Sequence, residues 1–73
     1  MEGAPTVYRV TANGGRWTVK RDGEPSMGTF DTRMDAMRLA RAAAADDRPS
    51  CIKVHRADGS LEEELEFGGE QHA

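Results

Sequence analysis

The firmest constraint on this chain is one bounded helical stretch, Thr32 to Pro49. Thr32, with Asp35 three residues on, fits the signature in which a hydroxyl accepts from an otherwise orphaned N–H of the first helical turn. The twelve or so residues that follow are rich in Ala, Met, Leu and Arg, all good helix formers. Ala36, Met37, Ala40 and Ala44 fall on one stripe, while Asp35, Arg38 and Arg41 lie away from it. Small residues at 36, 40 and 44 allow close approach to a sheet. Asp46-Asp47-Arg48-Pro49 ends the helix, because proline cannot continue the hydrogen-bond ladder and disfavours helix in the residue before it.

The chain before this helix alternates instead. Val7-Tyr8-Arg9-Val10-Thr11 and Arg16-Trp17-Thr18-Val19-Lys20 read as half-buried strands, with Tyr8, Val10, Trp17 and Val19 on one side and Arg9, Thr11, Thr18 and Lys20 on the other. Asn13-Gly14 suits a two-residue type I′ turn, which pairs Val10 with Trp17 and Tyr8 with Val19; a turn at Gly14-Gly15 preserves the same faces. Asp22-Gly23-Glu24-Pro25 is a second turn, and Ser26 to Phe30 has room for a short third strand carrying Met27 and Phe30.

A further hairpin follows the helix. Ile52 and Val54 alternate with Cys51, Lys53 and His55, and Asp58-Gly59 predicts another type I′ turn before Leu61 to Phe67. The implied register pairs Ile52 with Leu65, Lys53 with Glu64, Val54 with Glu63 and His55 with Glu62. Glu63 is the misfit, on the apolar side next to Val54 and within diagonal reach of Arg56, so a place at the rim of the core is expected. The assembly predicted is α+β: an antiparallel sheet of two hairpins with a short extra strand, one helix packed on one face, order ββ(β)αββ. One domain spans residues 1–73, with an ordered core over about 6–67 and a tail over 68–73.

A chain of 73 residues builds a thin core and gains from added stabilisation. The lone Cys51 excludes an internal disulfide, and Cys51, His55 and His72 lack metal-ligand spacing. Self-association is the remaining addition, and a homodimer is the favoured partner arrangement. No apolar run is long enough for a membrane span, and Met1-Glu2-Gly3-Ala4-Pro5 lacks the basic start and apolar run of a secretory signal, so a cytoplasmic location is expected. The net charge of -3 is uneven, with seven Lys/Arg against five Asp/Glu in residues 1–45 and three against eight in residues 46–73.

Several short motifs in order carry a resemblance. Tyr8-x-Val10, the Gly15-x-Trp17-x-Val19-Lys20-Arg21-x-Gly23 run, Phe30-Asp31-Thr32 leading into Ala36 and Ala40, Val54-His55-x-x-Asp58-Gly59, and a Glu-rich strand closing on Phe67-Gly68 resemble a family of small bacterial proteins, domain of unknown function 2188. The similarity covers roughly residues 7 to 68, departing chiefly at Cys51 and Met27. It implies a small bacterial domain and brings no reaction, cofactor or catalytic residue with it.

The residues themselves offer two classes of function. Trp17 could stack on a base, but it shares a face with Val19, Tyr8 and Val10, so the indole is expected to plug the core. Arg9, Arg16 and Lys20 on the free face make nucleic-acid contact the alternative reading, against which Glu62, Glu64 and Glu66 on the same face would repel phosphate. Cys51 and His55 share a face but lie about 13 Å apart at the usual strand rise, too far for direct proton transfer. No catalytic, cofactor-binding or metal residues and no small-molecule substrate are expected. A non-enzymatic interaction domain that self-associates is the leading expectation.

Overall fold

The computed structural model describes residues 5–68; the expected tail lies outside them apart from Gly68. The elements are β1 (Thr6–Asn13), β2 (Arg16–Arg21), β3 (Ser26–Phe30), α1 (Arg33–Asp46), β4 (Ser50–His55) and β5 (Leu61–Phe67). They form a five-stranded sheet, order β3-β2-β1-β4-β5, with the helix across one face.

The α+β class with one helix is as predicted, but the sheet is mixed. β1 and β4 pair in parallel, with Val10 beside Val54 and Tyr8 beside Ile52, while the other three pairings are antiparallel. The reason is the third strand. β3 runs in the direction of β1, and a helix crossing back over the sheet returns the chain to the end from which β3 began, so β4 also runs with β1.

The helix forms as its caps dictate. The Thr32 hydroxyl accepts from the Asp35 N–H at 3.1 Å, and Ala36, Met37, Ala40 and Ala44 are its buried residues. The buried Ser50 hydroxyl donates to the Ala44 carbonyl at 2.6 Å, fastening the start of β4 to the last helical turn. Asp47 just beyond the helix takes the Tyr8 phenol at 2.9 Å and an Arg21 guanidinium at 3.3 Å, which joins the helix end to β1 and β2. Burial first, and then the Asp47 carboxylate, push the Tyr8 phenol up from its ordinary range.

Both predicted type I′ turns move. The first hairpin turns at Gly14-Gly15, with φ of 62° and 82°, so Val10 meets Val19, Tyr8 meets Arg21, and Ala12 meets Trp17. Two consecutive positive φ values cost glycine nothing, whereas Asn13 would pay for one; no non-glycine residue among those described adopts one. Trp17 nonetheless keeps its side and packs, half-buried, against the core. In the second hairpin only Gly59 has positive φ, at 92°, and the Gly59 N–H donates to the Arg56 carbonyl at 2.9 Å. Three predicted pairs, Ile52–Leu65, Lys53–Glu64 and Val54–Glu63, are present, but a bulge then sets His55 opposite Leu61 instead of Glu62.

The core is the row through the middle of the sheet. Ile52, Val10, Val19 and Val54 are its largest fully buried side chains, roofed by the alanine stripe and Met37.

Candidate interaction surface

Among the described residues three regions remain uncovered by the fold: the sheet face opposite the helix, and the two outer strands. On the open face, strand pairing lines up Arg9 with Lys20 and Lys53, and Lys53 with Glu64. Arg9 is fully committed. Its Nε and second guanidinium nitrogen grip Asp22 at 2.7 and 3.1 Å, and its remaining nitrogen lies 3.1 Å from His55 Nε2. The His55 Nδ1 sits 3.2 Å from the Gly59 carbonyl, which can only accept, so the ring proton belongs on Nδ1 and Nε2 accepts from Arg9. The Arg9 contact holds the Asp22 carboxyl below its usual range, and Asp22 in turn raises Arg9.

The predicted trio is therefore only partly gathered. Arg9 and Lys20 are neighbours across β1 and β2, whereas Arg16 lies at the Gly14-Gly15 end and gives both Nε and a terminal nitrogen to Asp31 Oδ1, at 3.1 and 2.9 Å. Lys20 is the one member with no ion pair among the described residues. Glu64 and Glu66 stand on the same face along β5. Two of three cations are thus neutralised in place, and the face is mixed in charge.

Cys51 also belongs to this face, beside Val7 and opposite Glu66, yet is only 7% exposed. Burial first, then the nearby Glu64, push its thiol up, which keeps it protonated and weakly nucleophilic. His55 stands four residues along the strand with both ring nitrogens engaged. Among the described residues no three His, Cys, Asp or Glu side chains gather to hold a metal ion.

The outer strands differ sharply. β5 carries Glu62, Glu63, Glu64 and Glu66 within its seven residues. Its helix-side flank is roofed by charge: Arg33 pairs with Glu63, and the Arg48 guanidinium lies 5.6 Å from the centre of the Phe67 ring. Glu63 thus sits half-buried at the core rim as expected, but its partner comes from the first helical turn. Arg56, the partner reached for in sequence, is held by Ser60 and the Leu61 carbonyl. That pairing was invisible to strand register, because it depends on where the helix begins over the sheet.

β3 has no charged residue in its five, SMGTF. Met27 is 41% exposed and Thr29 is exposed. The Phe30 ring folds back over Gly28, within 3.3 Å of where a Cβ would stand, with Leu39 beyond it at 4.0 Å. Phe30, Leu39 and Ala42 line a groove between helix and strand, bounded by Asp35 and Arg38. The sequence leaves room for a short strand over Ser26 to Phe30 carrying Met27 and Phe30, and that strand is present; what the sequence does not mark is that it is terminal and that the register shifts at Met27.

Fold and surface together define a small one-helix α+β domain with one uncovered sheet face and two unlike edges. The chain belongs to the bacterial family described as uncharacterized protein conserved in bacteria (DUF2188), whose model matches residues 8–67, close to the span of the resemblance read from its motifs. No curated protein and no solved structure matches it. No described helix is long and apolar enough to cross a membrane.

Proposed function

We propose that this domain is a non-enzymatic interaction module that works by associating with a second copy of itself. The observation that carries this reading is insufficient cover. Four strand spacings of about 4.8 Å set the outer strands roughly 19 Å apart, whereas a helix with its side chains is about 10 Å across. One helix therefore roofs the central strands, and Trp17, Phe30, Leu39, Leu65 and Phe67 stay only partly buried around it. With a core whose largest fully buried side chains are Ile and Val, and no disulfide, a second copy is the available source of further apolar burial.

The non-enzymatic part draws support from the two side chains that chemistry could have used. His55 is spent on Arg9 and Gly59, and Cys51 is buried beside carboxylates. Nucleic-acid binding is weakened as an alternative by the carboxylates on Arg9 and Arg16. Size-exclusion chromatography with light scattering tests the proposal: a mass of twice 8.0 kDa at micromolar concentration is expected. A folded monomer throughout that range, or a shift with random DNA or RNA that fades steeply with salt, would replace it.

A further inference from the structure

We infer that the second copy joins through β3, paired antiparallel with its own counterpart about a two-fold axis, so that one sheet runs through both chains. This rests on the self-association reading above and assigns its surface. β3 is terminal in the sheet, so one side of its backbone has no ladder partner among the described residues. Charge then chooses between the two terminal strands. Two β5 edges brought together would oppose glutamates, while two β3 edges oppose none. The charges flanking β3 are already matched, Glu24 by Arg21 at 2.8 Å and Asp31 by Arg16 at 2.9 Å.

Two features keep the backbone contact short. β3 has five residues, and its Gly28 N–H already donates to the Ser26 hydroxyl at 3.2 Å. The adjoining flank must contribute the rest. A two-fold axis perpendicular to the sheet places both helices on the same face, each set back from the junction, so the Phe30–Leu39 groove of one copy confronts that of the other. The arrangement uses β3 on both sides and closes at two chains; β3 joined to β5 of the next copy would leave an edge free and continue.

The test is light scattering on the full chain at micromolar concentration, comparing wild type with the double variant Met27→Lys/Thr29→Lys and with Glu66→Lys, which keeps a charge on β5. Wild type and Glu66→Lys are expected as dimers, and the double variant as a monomer with an unchanged circular dichroism spectrum. If the double variant loses that spectrum, the single Thr29→Lys variant decides by the same reading. A double variant that remains dimeric overturns pairing through β3 and leaves self-association standing. A monomeric wild type overturns both, and mass that grows past two chains with concentration overturns the closed two-fold.

Discussion

The two outer strands flank the same helix, yet one is guarded and the other is not. β5 carries four glutamates in its seven residues and has Arg33 and Arg48 drawn over its helix-side flank. β3 offers Ser, Met, Gly, Thr and Phe, with an aromatic ring and a leucine beside it. Exposed strands invite pairing unless charge, brevity or a bulge discourages it. β5 is discouraged by charge, while β3 is limited by its length, by the Gly28 N–H already given to Ser26 and by the bulge between Val19 and Lys20. An edge left uncharged in a chain that is 32% charged is the asymmetry on which the functional reading turns.

The largest effect expected is one that should ignore this asymmetry. Ile52→Ala, at the centre of the sheet where exposure is 0%, should destabilise the fold by about 2–5 kcal/mol, equally at low and high protein concentration in chemical denaturation. Next come Phe30→Ala and Leu65→Ala, matched truncations on the two flanks, each expected to cost about 2 kcal/mol as half-buried side chains. They should part company on dilution. The deficit of Phe30→Ala relative to wild type should grow with protein concentration, since wild type alone gains from a partner, and that of Leu65→Ala should stay constant. Equal behaviour of the two would erase the distinction between the flanks.

Smaller changes sharpen it. Arg33→Ala should cost about 0.5–1 kcal/mol, discounted because both members of the Arg33–Glu63 pair are well over a third exposed, at 39% and 41%. The same variant should leave the oligomeric state unaltered. The smallest effect concerns Asp22, which belongs to neither edge. Its folded-state pKa is lowered by Arg9, so the pair contributes fully above the ordinary carboxylate pKa of about 3.9 and loses that contribution as pH falls through the lower folded value. Asp22→Asn should cost a few tenths of a kcal/mol at neutral pH, because Asp22 is 43% exposed, and the cost should vanish in acid. Thermal melts of both proteins from pH 7 to pH 2 measure it.

Local signals carried much of this molecule. Thr32 and Pro49 bounded the helix, the alanine stripe named its buried face, and the side of Trp17 followed from alternation whichever glycine pair made the turn. The second hairpin's register was legible as far as Val54, because Ile52–Leu65 and Lys53–Glu64 suit each other as neighbours. What could not be read was how the hairpins meet. The β1–β4 pairing joins residues more than forty positions apart, and nothing local marks it. The bulges and the Arg33–Glu63 pair lay beyond reach because they arise from how the helix and turns settle on the finished sheet. Of the predicted nucleic-acid residues, alternation placed Arg9 and Lys20 together correctly but could not foresee that Asp22 and Asp31, both in loops, would occupy Arg9 and Arg16.

Amide hydrogen exchange followed across a range of protein concentrations tests the unequal edges most directly, since it reads backbone protection strand by strand without any substitution. The β3 amides should become slower to exchange as concentration rises, while those of β5 hold a constant rate. Protection that gathers on β5, or that never changes on either strand, would contradict the account.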